Sequence, residues 1–252
     1  MAAASAPTYR RLAFGDVSST NTIALEAARS GDAGDLWVTA ERQIEGRGRM
    51  GRRWSSEAGN LFASWMGIDV TPAHELAKLP FVAALAVRNA IERFVEPGAR
   101  VQTKWPNDIL VDGKKIVGIL LETSRLTTGH TVLVLGCGIN VDHHPEDAPY
   151  PVTSLRAEGY RSGTQDVFEA LALEWQCQLK RFDRGANFGE IRRDWLSHAV
   201  GIGGPCTARL TDRTLEGRFE AIDADGRLLL ALADGRIIPI SAGDIFFSSS
   251  AP

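Results

Sequence analysis

At Gly201-Ile-Gly-Gly204 the chain changes texture, and that break constrains the fold more than any other single feature. Beyond it, 205–247 reads as about five short β-prone runs joined by Thr211-Asp-Arg-Thr214, Asp223-Ala-Asp-Gly226 and Ala233-Asp-Gly-Arg236, residue types that favour tight reversals. Helix signals are scarce there, so a small barrel-like β module is expected. Upstream, helical and strand spacings alternate, which calls for a mixed domain of sheet and helices. A chain of 252 residues is long enough for that larger domain plus an appendage. The expected division is a loose tail at 1–9, a main domain at 10–200 and the β module at 201–252.

Within the main domain, Ser-Ser-Thr-Asn ahead of IALEAARS predicts a helix over 18–30, stopped by Gly31. Leu36–Ala40 and Leu61–Val70 read as strands on either side of a polar, Gly/Arg-rich loop at 45–53. One helix is expected from His74 to Phe94, ending before Pro97-Gly98. Val101–Lys104, Ile109–Val111 and Lys115–Glu122 read as strands, the last two joined by the hairpin signal Asp112-Gly113. Another apolar run covers Thr131–Val141, and helices are expected near 165–183 and 187–198.

Composition excludes more than it assigns. A chain 44% apolar and 23% charged is that of a soluble globular protein. The net charge of −3 provides no global attraction to nucleic acid or an anionic membrane, so any phosphate chemistry has to come from a local cluster. Cys137, Cys177 and Cys206 lack metal-ligand spacing and cannot all pair, which suits reduced thiols. The start has no apolar signal core, and no run of about 18 apolar residues offers a membrane span. The expected location is the cytoplasm.

Five segments suit chemistry, and each also has an ordinary explanation. Gly46-Arg-Gly-Arg-Met-Gly-Arg-Arg-Trp54 packs four arginines and three glycines into nine residues. Arginine forks and exposed amides suit an anionic ligand; a solvated basic loop, or an RNA contact, fits as well. Lys104-Trp-Pro-Asn-Asp108 brings a lysine, an amide and a carboxylate to a strand end, or is a plain polar turn. In Gly113-Lys-Lys-Ile-Val-Gly-Ile-Leu-Leu-Glu122, Gly118 suggests close approach by a ligand or by backbone, and Lys115 has the look of a surface lysine beside a turn. Gly136-Cys-Gly-Ile-Asn140 fits a bulge or a ligand wall. Ser19-Thr20-Asn21 suits a helix cap or hydrogen bonds to a polar ring. Cys137 lies in an apolar run without a nearby histidine and reads as a packed thiol.

Taken together and in order, Ser19-Thr20-Asn21, Gln43, GRGRMGRRW, KWPND, GKKIVGILLE and GCGIN resemble the biotin–protein ligases over nearly the whole chain. The glycine–arginine loop followed about fifty residues later by KWPND is the specific combination. The resemblance implies an α/β (α+β) catalytic domain with a mixed sheet like that of class II aminoacyl-tRNA synthetases, plus an SH3-like C-terminal barrel. It also implies two steps: biotin and MgATP give biotinyl-5′-AMP and pyrophosphate, and a carrier lysine then takes the biotinyl group and releases AMP.

By similarity, Ser19, Thr20, Asn21 and Gln43 would meet the ureido ring, and Gly118, Gly136 and Gly138 would let the bicyclic ring and its chain lie against backbone. Arg47, Gly48, Arg49 and Lys115 would line the carboxylate end, while Arg49, Arg52, Trp54, Lys104, Asn107 and Asn140 would serve the nucleotide. Arg47, Arg49, Lys104 and Lys115 would carry the catalytic charge, and Asp108 would orient or deprotonate the acceptor amine. No metal ligands are assigned. Expected partners are biotin, ATP with Mg2+ and the biotin carboxyl carrier protein of an acyl-CoA carboxylase, with no DNA, no membrane and at most a weak homodimer.

Two departures stand out: Glu45 would weaken loop ordering or pair with Arg53, and Cys137 replaces a small aliphatic residue. With Ser-Thr-Asn beginning at residue 19, no winged helix fits ahead of it, so a repressor role is not expected. A lipoate–protein ligase of the same fold and an RNA-binding protein using the arginine loop are the rival readings.

Overall fold

The computed structural model describes residues 9–161 and 163–247. Residues 1–8 of the expected tail lie outside them. A seven-stranded sheet has the order β1-β2-β3-β7-β6-β5-β4, built from β1 (Arg10–Val17), β2 (Leu36–Gln43), β3 (Leu61–Ile68), β4 (Val101–Lys104), β5 (Asp108–Val111), β6 (Lys114–Arg125) and β7 (Thr131–Ile139). Only β1 and β2 run parallel, because α1 (Thr20–Arg29) carries the chain back between them. The other neighbours are antiparallel. Downstream of β7 come α3 (Thr164–Phe182) and α4 (Phe188–Ser197).

Successive side chains of a strand point to opposite faces, and the central strands bury both. From β2, Leu36 and Val38 pack with Ala24 and Ala28 of α1, Met66 of β3 and Val134 of β7. Trp37 faces the other way, edge-on to Phe168 of α3. That second face holds the main core, in which α2 (Leu79–Glu92) packs against α3 and α4.

The single helix expected over His74–Phe94 is divided: a 3-10 segment spans Ala73–Lys78, and the α-helix starts at Leu79. Pro80 decides the boundary, since a residue without an N–H and with fixed φ is tolerated only in a helix's first turn. β1 escaped the sequence reading because it is an edge strand, largely exposed with only Val17 buried, and gives no period-two pattern. The hairpin between β5 and β6 turns at Asp112 (φ 47°) and Gly113 (φ 78°), the paired positive φ of a type I′ turn.

After Gly204 a five-stranded antiparallel sheet, ordered β11-β10-β9-β8-β12, comprises β8 (Pro205–Arg209), β9 (Thr214–Ile222), β10 (Leu228–Ala231), β11 (Ile237–Ile240) and β12 (Asp244–Phe247). The mixed α/β class with a C-terminal β sheet is as expected. Its buried Ala208, Phe219, Leu228 and Ile245 join the main core rather than forming one of their own. No helix among the described residues is long and apolar enough to cross a membrane.

Candidate active site

A cleft of about 210 Å³ opens where the N-terminus of α1, the end of β2, the 44–60 loop, the β4–β5 turn, the adjoining stretches of β6 and β7, and β12 converge. At its polar end, Ser19 holds the N-cap position of α1 but makes no side-chain cap bond. The Thr20 N–H instead donates to Gln43 Oε1 at 2.9 Å, and Thr20 Oγ1 lies 3.0 Å from the same oxygen. Ser19, Thr20 and Asn21 are all buried.

The charged end gathers residues distant in sequence. Asp108 Oδ1 pairs with Lys115 Nζ at 2.8 Å, and Lys115 sits over the Trp54 and Tyr150 rings. Lys104 lines the same cleft. Burial pulls its ammonium below the ordinary lysine range, with nearby Lys115 adding to the fall and Asp108 and Asp244 opposing it. Arg49 donates to Asn107 Oδ1 at 3.3 Å and to the Gly243 carbonyl at 3.1 Å. Burial likewise lowers the pKa of its guanidinium, against the pull of Asp244. Arg52 donates to Asp244 Oδ1 at 2.9 Å.

Several of the expected site residues have partners within the fold. Arg47 lines the cleft, and its guanidinium is engaged by Glu122 at 3.0 Å and by Thr22 at 3.0 Å. Gly118 and Gly138 do lie on the cleft wall beside Gly136, yet the Trp54 indole covers them. A Cβ on Gly118 would stand 2.7 Å from that ring, and one on Gly138 would collide with it. Gly136 leaves room for the Asn21 amide instead. Gly48 is on the rim. Asn140 is apart: it faces a neighbouring cleft shared with Pro149 and Tyr150, and its amide donates to the Thr153 carbonyl. Glu45 forms no ion pair among the described residues, and Arg53 meets Arg47 through backbone only. Burial pushes the Cys137 thiol up to about 12, in line with a packed side chain.

Sequence reasoning missed Asp244, Glu122, Ser64 and Tyr150. Glu122 was inside a quoted motif but had no chemical signal, and Asp244 lies 192 residues from the arginine it holds.

A buried polar pocket beside a basic, arginine-roofed cleft defines a class of protein that handles a small anionic ligand. The chain belongs to the biotin/lipoate A/B protein ligase family, whose model matches residues 14–140. A biotin protein ligase C-terminal domain matches 201–248. The chain is 37% identical over 238 residues to the biotin–[acetyl-CoA-carboxylase] ligase of Paracoccus denitrificans, covering 91% of this chain and 97% of that one. It is also 37% identical over 246 residues to the bifunctional ligase/repressor BirA of Bacillus subtilis (strain 168), covering 94% of this chain and 74% of the relative. Among solved structures, the biotin protein ligase of Aquifex aeolicus in complex with biotin and ATP superposes with a TM-score of 0.79 at 27% identity, covering 95% of this chain and 99% of that one.

Proposed function

We propose that the protein is an ATP-dependent biotin–protein ligase. A biotin carboxylate oxygen attacks the α-phosphorus of ATP, the bond from that phosphorus to the bridging oxygen breaks, and pyrophosphate leaves. The neutral amine of a carrier lysine then attacks the acyl carbon of biotinyl-5′-AMP, expelling AMP and losing a proton. The carrier in this reading is the biotin carboxyl carrier protein of an acyl-CoA carboxylase, met in the cytoplasm, with self-association at most weak. The domain at 10–200 carries the chemistry, and β12 of the C-terminal domain closes the cleft.

The observation that carries this reading is the convergence of Lys104, Asp108, Lys115 and Arg49 on one cleft whose far end is the Thr20–Gln43 pair. Ureido carbonyl and N–H groups need polar partners when buried, and the Ser19–Asn21 turn with Gln43 supplies them. Lys104, Lys115 and Arg49 bring fixed positive charge to where the carboxylate and α-phosphate meet, so catalysis rests on positioning and electrostatics. Asp108, held by Lys115, is the carboxylate nearest an incoming amine. Arg47 serves the carboxylate end, Arg52, Trp54 and Asn107 frame the nucleotide side, and Asn140 would reach the nucleotide only from the neighbouring cleft.

Magnesium would enter with the nucleotide phosphates. The cleft carboxylates Asp108 and Asp244, and Glu122 behind the cleft, are each paired with a cation, and no group of three or more His, Cys, Asp or Glu able to hold a metal stands among the described residues. They do not form a ready cation site, and no step is assigned to the ion. The match to biotin protein ligases in both parts of the chain weighs against the RNA-binding alternative. The reading is tested by pyrophosphate release from ATP with biotin or lipoate. Release with biotin and not lipoate is expected; the reverse preference would overturn it.

A further inference from the structure

Behind the polar end of the cleft sit Ser64 on β3 and Glu122 on β6, the carboxylate that holds Arg47. Ser64 is fully buried and lies opposite Gly136 in register. Its Oγ is 2.5 Å from Asn21 Oδ1 and 2.7 Å from Thr20 Oγ1. Glu122 Oε2 accepts from Asn21 Nδ2 at 2.7 Å and pairs with Arg47. The contacts run in one line: Glu122, Asn21, Ser64, Thr20, Gln43.

Counting hydrogens along that line gives a definite result. A carboxylate paired with an arginine only accepts, so Asn21 must turn its NH2 to Glu122 and its carbonyl oxygen to Ser64. At the other end, Gln43 Oε1 accepts the Thr20 backbone N–H at 2.9 Å, and Gln43 Nε2 faces Ser56 Oγ at 3.2 Å. Both ends of the line are therefore pinned as acceptors. Between them lie three oxygen–oxygen contacts, Asn21–Ser64, Ser64–Thr20 and Thr20–Gln43. Only two hydroxyl hydrogens, those of Ser64 and Thr20, are available to fill them. One contact always lacks a proton.

We infer that Glu122 is a positioning residue that sets ligand specificity: by fixing the Asn21 amide it leaves the pocket one hydrogen short, so the site demands a ring bearing N–H donors. The inference rests on the ligase reading and extends it. A cyclic urea supplies the missing hydrogen, and a dithiolane ring, with no N–H, leaves the deficit unrelieved. Sites with unmet buried polar groups reject ligands that cannot meet them far more strongly than apolar pockets reject a size change.

Glu122→Gln keeps the shape but offers its own NH2 to Asn21. The Asn21 amide can then reverse, donate to Ser64 and remove the shortage. Titration calorimetry of the full chain with biotin, lipoate and ATP tests this. The expected result is a loss of about tenfold or more in biotin affinity, with lipoate binding no worse than for the unmodified chain and any fall in ATP affinity smaller than the fall for biotin. Asn21→Ala removes one of the three contacts and balances the count, so Glu122→Gln added to it should have no further effect on biotin. If Glu122→Gln fails to fold, Ser64→Ala, which removes two of the contacts and one hydrogen behind the cleft and so also balances the count, must spare lipoate while weakening biotin. Unchanged biotin affinity, an equal fall for biotin, lipoate and ATP, or additive losses in the double variant would each overturn the inference. If the unmodified chain does not bind biotin, the ligase reading falls first and the inference goes with it; normal binding with unaffected variants removes the inference alone.

Discussion

Lys104, at the end of β4, is held charged where water is scarce, and burial pulls its pKa down. The sign follows from linkage: a lysine whose folded pKa lies below its unfolded value costs stability wherever both states are protonated. That cost is absent above the unfolded pKa of about 10.4 and grows to its full size as pH falls through the folded value. Lys104→Met should therefore raise the ligand-free Tm near pH 7.5, with the gain shrinking as pH approaches 10. Pyrophosphate release should fall by about 10²- to 10³-fold, as when a preorganised charge is removed from a developing anion. Thermal scans across pH and a steady-state assay would show both. Among the thiols, burial raises Cys137 to about 12 and raises Cys206, while Cys177 is exposed. A thiol reagent at pH 8 should label one fast site, absent in Cys177→Ser. At this scale the sequence was readable where a residue's neighbours in the chain are its neighbours in space. Cys137, set in an apolar strand, read correctly as packed. The pairing of Arg47 with Glu122 was not legible, because the two are 75 residues apart.

The glycine–arginine loop shows the same limit at the level of elements. Its suitability for anions was legible from composition, but its fastenings were not: Arg47 to β6, Arg49 to the β4–β5 turn and Gly243, Arg52 to β12. Asp244 faces two loop arginines, at 2.9 and 3.8 Å. Asp244→Ala should loosen the loop and raise KM for ATP about tenfold, since an ordered loop pays part of the ordering entropy before binding, with little change in Tm because the pair with Arg52 is half exposed. Initial-rate kinetics with a thermal scan separate these outcomes. An unchanged KM would show that β12 does not hold the loop. The strands and the β5–β6 hairpin were legible through period and turn chemistry. β1 was not, having almost nothing to bury, and the helix start at Leu79 turned on one proline.

Over the whole molecule, the turn-rich texture after Gly204 announced a separate β module. Its docking onto the rest, through Phe219, Leu228 and Ile245 in the common core, had no counterpart in sequence spacing. A shared core implies that the two parts unfold together, so calorimetry should show one transition with matching calorimetric and van't Hoff enthalpies. Two resolved transitions would mean that the β module is energetically independent. The docking also gives the cleft its third side, formed by Asp244, Ile245 and Phe246. The central claim is that this cleft activates biotin with ATP and passes it to a carrier lysine. Incubation of the full chain with biotin, ATP and a purified biotin carboxyl carrier domain, with and without its target lysine, tests that claim most directly. The account predicts ATP-dependent biotin attachment to the intact carrier and none to the lysine-less one. No transfer to the intact carrier would contradict it.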